Sequence, residues 1–214
     1  MSKDIDFYNN LQPFLECKDH TVSAEVYQLM LNDEYDMLVT KPIPENIGKY
    51  YKSEDYISHT DSKKSLFDKV YQSVKNITLK RKLKLISKCL LHQDSLSRPE
   101  KNILDVGAGT GDFLKVCKSN SWNVFGTEPD AGARNIAAKK GIVLQKDLSK
   151  LIGQKFEIIT LWHVLEHVEN LSEYISILKN MLADHGKLII AVPNFKSDDA
   201  KNPAKFYINS APAH

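Results

Sequence analysis

Long apolar runs are missing from this sequence, and so is a strong excess of charge of one sign. No run approaches the roughly 18 residues needed to span a bilayer, so no membrane-spanning helix is expected. Met1 to Asn10 is polar, with no basic stretch followed by an apolar one, which argues against a secretory leader. The formal net charge is +2, too mild a balance to imply a nucleic-acid partner. Cysteine is scarce: Cys17, Cys89 and Cys117 are an odd count with no pair at metal-ligand spacing. A disulfide framework is therefore not expected, and a reducing cytoplasm is the simpler setting. Internal repeats and low-complexity segments are also lacking. What is present is an ordinary hydrophobic share of 42% over 214 residues, enough for one core-bearing domain and a smaller appendage.

The chain divides into an N-terminal appendage (1–60), a connecting helical segment (61–98) and a main domain (99–214). In the first part Pro13, Pro42 and Pro44 punctuate a tyrosine-rich stretch, with short strands expected at Thr21–Val26 and Met37–Thr40. From 61 to 97 apolar residues recur at helical spacing, from Leu66 and Val70 to Leu83, Ile86 and Leu90, with lysines on the other face. Asp61 or Ser62 suits the N-cap. Asn76 and Thr78 are weak helix formers, leaving one long helix or two shorter ones open.

Strand and helix patterns then alternate. Strands are expected at Asn102–Val106, Asn123–Thr127, Ile142–Leu144, Phe156–Leu161 and Lys187–Val192. Helices are expected at Phe113–Ser119, Ala131–Lys140 and Leu171–Leu182, with Gly141 closing the second. This alternation predicts βαβ units and a parallel sheet, an α/β fold. Beyond Asn194 only a weak strand candidate, Phe206–Ile208, remains.

Gly107-Ala108-Gly109-Thr110-Gly111 falls between the first strand and its helix. Glycines there allow close backbone approach by a ligand at a helix N-terminus, on the carboxyl edge of the sheet. The spacing is G-x-G-x-G, whereas a dinucleotide fingerprint is G-x-G-x-x-G. Asp105 and Asp112 surround the loop with negative charge, which suits a sulfonium and an ammonium better than a pyrophosphate. No Gly-Lys-Ser/Thr follows, which argues against a phosphate-cradling loop.

Ile103 to Phe113 resembles the S-adenosylmethionine (SAM) binding motif of class I SAM-dependent methyltransferases. Glu128, in Val124-Phe-Gly-Thr-Glu-Pro-Asp130, stands 21 residues after Gly107, close to the ~20-residue interval of a ribose-binding acid. Asp147 matches an acid that often lies by the adenine in that family. Phe156 to Val168 is similar to the family's Phe-Asp-x-Ile…Val-Leu-Glu-His pattern, with Glu157 in place of the commoner Asp, and Lys187 to Asn194 resembles strand five with its terminal Pro-Asn. The resemblance covers about residues 100–194 and implies a Rossmann-like methyltransferase core of strand order 3-2-1-4-5. It implies SAM as cofactor, S-adenosylhomocysteine as product and a small-molecule methyl acceptor. Cofactor contacts would fall on Asp105, Gly107, Ala108, Gly109, Gly111, Phe113, Glu128, Pro129, Asp147, Leu148, Trp162 and His163.

His163-Val-Leu-Glu-His167 also matches an inverted zinc-protease motif. The context argues against it, since no third ligand is evident. The metal-holding Glu-x-x-Glu-His cluster of small-RNA 2′-O-methyltransferases has His163 at its first position here, so no metal is expected. Trp162 and His163 would line the cofactor pocket while Glu166 and His167 begin the next helix. His163 or His167 would serve as general base if the acceptor must lose a proton.

Tyr50-Tyr-Lys-Ser-Glu-Asp-Tyr-Ile-Ser-His59 resembles a stretch in a bacterial subgroup of these enzymes, where a zinc knuckle precedes it. Here the knuckle is degenerate: Cys17 remains, but Asn32 and Tyr35 stand where a cysteine pair would, so no structural zinc is expected. Tyr56 and His59 are candidates for a lid over the acceptor, or for plain packing. Only 20 residues follow Asn194. The family's C-terminal strand pair is therefore expected to be incomplete, with an uncovered sheet edge through which a homodimer could form. Other readings are a truncated or catalytically impaired SAM-binding module and a nicotinamide-dependent oxidoreductase.

Overall fold

The N-terminal part folds into β1 (Gln12–Lys18), β2 (Val26–Asn32) and β3 (Met37–Lys41), an antiparallel sheet in that order. This is a computed structural model describing residues 7–20, 22–43, 66–90, 101–198 and 200, with residues 66–71 described by backbone alone. The described residues fall into two compact units, one drawing on Met1–Ser62 and Asn194–His214, the other on Lys63–Pro193.

In the first unit, turn chemistry sets the strand ends. The Asn32 side chain accepts from the backbone N–H groups of Glu34 and Tyr35, at 3.0 and 3.2 Å, and closes the β2–β3 hairpin. Between β1 and β2 the Asp19 carboxylate accepts from the Ser23 N–H at 2.7 Å. That loop corrects the strand expected at Thr21–Val26: residues 22–25 are turn and β2 begins at Val26. The sequence reading missed β1, whose Pro13 argues against a strand. Proline is tolerated here because β1 is an edge strand among the described residues, and its register shifts between Pro13 and Leu15.

The second unit opens with α1 (Leu66–Leu90), one continuous helix. Leu79, Leu83, Ile86 and Leu90 belong to the core or pack against it, which overrides the weak propensities of Asn76 and Thr78. The N-cap candidates Asp61 and Ser62 lie outside the described residues. There follow β4 (Asn102–Val106), α2 (Asp112–Lys118), β5 (Asn123–Thr127), α3 (Ala131–Lys139), β6 (Phe156–Trp162), α4 (Leu171–Met181) and β7 (Leu182–Ala191). The four strands pair in parallel in the order β5-β4-β6-β7.

The strand expected at Ile142–Leu144 is a correction in detail. Ile142 and Leu144 are buried and Val143 exposed, as a strand pattern requires, yet among the described residues the only ladder contact is one parallel bridge between Gln145 and Thr127. The bridge lies on the β5 side, so the order 3-2-1-4-5 survives with its third strand reduced to a single pairing. The fifth strand starts at Leu182, ahead of the expected Lys187. The expectation of an incomplete C-terminal pair and the Phe206–Ile208 candidate fall outside the described residues.

Side chains alternate between the two faces of the sheet. Ile103 and Ile158 join Ile86, Phe113 and Leu114 on one side, while Leu104, Val106, Ile159 and Leu161 join Leu178 and Met181 on the other. Burying each such aliphatic side chain contributes about 1.5–3 kcal/mol. The central strands are thereby fixed, and their carboxyl ends open onto the glycine loop.

Candidate active site at the glycine loop

β4 ends at Val106 and the chain turns sharply at Gly107, with φ of 67°. A Cβ there would lie 2.5 Å from Val164 Cγ2, so only glycine allows the loop after β6 to approach this closely. Gly109 also has positive φ, at 53°, but nothing lies within 4 Å of where its Cβ would be. One side of the loop is packed shut and the other is open.

The loop is tied to the end of β5. The Ala108 N–H donates to the Thr127 carbonyl at 2.8 Å. The Glu128 carboxylate accepts from Gly109 N–H through Oε2 and from Asp130 N–H through Oε1, both at 2.9 Å. Glu128 is buried, and each of its oxygens keeps lone-pair capacity for a further donor. Pro129 leads into α3, which Asp130 caps by accepting from Ala133 N–H at 2.7 Å. Asp147 lies exposed beyond the Gln145 bridge. It accepts from Ser149 Oγ at 2.5 Å and from Ser149 N–H at 3.0 Å, and these bonds hold its pKa below the usual carboxylate value. Leu148, beside it, is buried.

Beneath the loop Asp105 is buried and accepts from Thr160 Oγ1 at 2.6 Å. Burial pushes its pKa up to about 7, against the pull of Thr160 and of the Lys82 charge. Asp112, at the start of α2, has the opposite fate. Lys75 and Lys140 pair with it at 2.7 and 2.8 Å and Thr110 Oγ1 donates at 2.8 Å. Burial works against them, but the hydrogen bonds prevail and its pKa is lowered.

At the end of β6, Trp162 meets Phe113 edge to face, with ring centroids 5.9 Å apart. Its Nε1 is buried and has no hydrogen-bond partner among the described residues. His163 adopts φ of 57°, uncommon for a residue with a side chain, while its N–H donates to the Ala191 carbonyl at 2.9 Å. Its Nδ1 lies 3.5 Å from Glu166 Oε1, and its side chain is 65% exposed. The pattern predicts that Glu166 and His167 begin the next helix. They form instead a single 3-10 turn, Leu165–His167, and α4 begins at Leu171 behind the Asn170 cap. Asn170 and Glu173 form a reciprocal cap there, the helix start that the chain needed. His163 and His167 thus do not share an α-helical face, and among the described residues no group of three or more His, Cys, Asp or Glu is placed to hold a metal. Tyr56 and His59 lie outside the described residues.

The structure brings Asp105, the glycines, Phe113, Glu128, Trp162 and His163 around one loop. It adds Lys82, which the sequence reading passed over. The Lys82 ammonium lies 4.3 Å from the Trp162 ring centroid and 5.9 Å from that of Phe113. A signal was present: Lys82 follows Leu79 by three residues and precedes Ile86 by four, so it shares the core-facing stripe of α1. Donors and acceptors of this site fit SAM: an open loop at Gly109, a buried acceptor at Glu128 and an orphaned donor at Trp162.

Comparison with known proteins places the chain in a family. A family model described as a methyltransferase domain matches residues 78–209. An uncharacterised methyltransferase of Alkaliphilus oremlandii (strain OhILAs) is 30% identical over 104 residues, 46% of this chain and 48% of that one. The chain therefore spans about half the length of this curated relative. Among solved structures, the SAM-bound magnesium protoporphyrin IX methyltransferase ChlM from Synechocystis PCC 6803 superposes with a TM-score of 0.50 at 16% identity, over 68% of this chain and 74% of that one. The SAM-bound amino pentose methyltransferase CalS10 from Micromonospora echinaspora, involved in calicheamicin biosynthesis, gives 0.50 at 17% identity, over 64% and 59%. At these identities the two structures establish the fold. The family match takes in the second half of α1, the glycine loop and the whole parallel sheet, over more than half of the sequence, and the chain belongs to the methyltransferase-domain family.

Proposed function

We propose that this protein transfers the methyl group of SAM to an O, N or C nucleophile of a small-molecule acceptor. The observation that carries this reading is the Glu128 bridge. A buried carboxylate held by Gly109 and Asp130 N–H groups stands beside an open glycine loop. Its remaining lone pairs suit the two hydroxyls of a ribose. Asp147 and Leu148 would flank the adenine, and Asp105, Ala108, Phe113, Trp162 and His163 would surround the amino-acid end and the sulfonium.

SAM supplies a methyl group on a positively charged sulfur. The bond from that carbon to sulfur breaks as the bond to the acceptor forms, and S-adenosylhomocysteine leaves with the electron pair. The protein's part is mainly to hold both partners in line. If the acceptor carries a proton, His163 or His167 takes it. The contact between Gly107 and Val164 favours His163, because it seats the neighbouring residue against the loop.

A screen of candidate acceptors with methyl-labelled SAM tests the transfer. Label should move to one class of acceptor, and His163→Ala should slow that transfer by more than any accompanying loss of SAM affinity accounts for. Wild-type protein that binds SAM yet labels no acceptor in any class would contradict catalysis and favour a SAM-binding module. Among the described residues β7 is a sheet edge, with Ile190 exposed, and we extend the proposal to a homodimer formed there. Light scattering should read twice the mass of one chain, falling to one chain for Ile190→Lys. A single-chain mass for the wild type at all concentrations would remove this part.

A further inference from the structure

Lys80, Arg81, Lys84 and Lys88 of α1 are exposed, as basic residues on a helix usually are. Lys82 turns inward instead. Its ammonium lies over the indole face of Trp162, with the buried Phe113 ring beyond. Burial lowers its pKa, and only the nearby charge of Asp105 works the other way. An ammonium has three N–H donors, and aromatic faces replace only part of the water it gives up. Yet among the described residues no oxygen lies within hydrogen-bond or salt-bridge range of Lys82 Nζ.

A second unanswered donor belongs to the ring under that ammonium. Trp162 Nε1 is buried and makes no hydrogen bond. A buried donor left unsatisfied is costly, so the Trp162 N–H, with a half-buried ammonium beside it that has no oxygen in reach among the described residues, points to a missing acceptor. The acceptor must be anionic to meet Lys82, and a carboxylate offers two oxygens for the two donors. A phosphate carries more negative charge than a carboxylate and is the poorer match beside the buried acids Asp105 and Glu128. A cation beside a buried acid is also the mirror image of an amino-acid head group, which pairs a carboxylate with an ammonium.

We propose that Lys82, with the Trp162 indole N–H, holds the carboxylate of the SAM amino-acid tail. This rests on the SAM reading above. Lys82 then selects SAM over adenosine thioethers that lack the tail.

Calorimetric titration with two probes separates the claims: S-adenosylhomocysteine carries the tail, and methylthioadenosine does not. Lys82→Met keeps the length and apolar packing of the stem. It should raise the Kd for S-adenosylhomocysteine about 10- to 100-fold, the range for a lost hydrogen bond to a charged group, and leave that for methylthioadenosine within about twofold. Lys82→Arg should retain most of the affinity. Trp162→Phe keeps a ring and removes the N–H, and it should weaken the tailed probe alone. Equal weakening of both probes by Lys82→Met would show a packing role and overturn the proposal, as would no change in either. If Lys82→Met does not fold, Lys82→Arg and Trp162→Phe decide by the same comparison. A wild type that binds neither probe sinks the SAM reading itself, and the proposal with it. A wild type that binds both equally tightly leaves SAM in place and removes the Lys82 role.

Discussion

At Glu128 one carboxylate joins two backbone N–H groups from different elements, and the same oxygens face the proposed ribose. Glu128→Ala should raise the Kd for S-adenosylhomocysteine about 10- to 100-fold by calorimetry, since hydrogen bonds to a charged group contribute about 1.5–3 kcal/mol. An unchanged Kd would remove Glu128 from the site. Asp105 gives a pH prediction. Its pKa is raised to about 7, so the folded state holds its proton more tightly than the unfolded state does. The stability linked to this carboxyl is therefore full below the ordinary carboxylate pKa and is lost as pH rises through about 7. Asp105→Asn should gain in melting temperature relative to wild type across that interval; a constant difference from acid to neutral pH would contradict the assignment. Asp112, with lowered pKa, acts in the opposite sense, its contribution fading as pH falls below the ordinary carboxylate range. Glu128 was legible because its interval from Gly107 is a one-dimensional signal. Lys82 is hard to single out because α1 carries six other basic residues, and only its place on the apolar stripe marks it.

The elements around the site were legible where periodicity was strong and less so where one local contact decided. The strands β4, β5 and β6 and the helix α3 stand close to where their apolar patterns place them, because burial on both faces leaves little freedom. The third strand collapses to one bridge because only Gln145 reaches the ladder of β5. β1 escaped notice because an edge strand needs neither alternation nor a full set of N–H donors, so Pro13 is accommodated. The segment after β6 looked helical, but its chain takes a left-handed step at His163 and makes a single 3-10 turn. Val164 is thereby laid against Gly107. Gly107→Ala should consequently destabilise the protein by about 1–3 kcal/mol in urea titration, from strain at positive φ and from the Val164 contact. Adding Val164→Ala should recover part of that loss. No recovery would mean that backbone strain alone is responsible.

Across the whole molecule, the division into two compact units places every described residue of the proposed cofactor site within Lys63–Pro193. Lys82 on α1, Asp105 at β4, Glu128 after β5 and Trp162 on β6 all come from that unit. Among the described residues no helix is long and apolar enough to cross a membrane. Cofactor chemistry is thus assigned to one unit, whereas the acceptor is left to chemistry that the family shares only in outline. Calorimetric titration of the intact chain with S-adenosylhomocysteine tests the central claim most directly. One ligand per chain with micromolar Kd is expected, with no heat from a nicotinamide cofactor under the same conditions. Absence of binding at millimolar S-adenosylhomocysteine, or saturable binding of the nicotinamide cofactor instead, would contradict it.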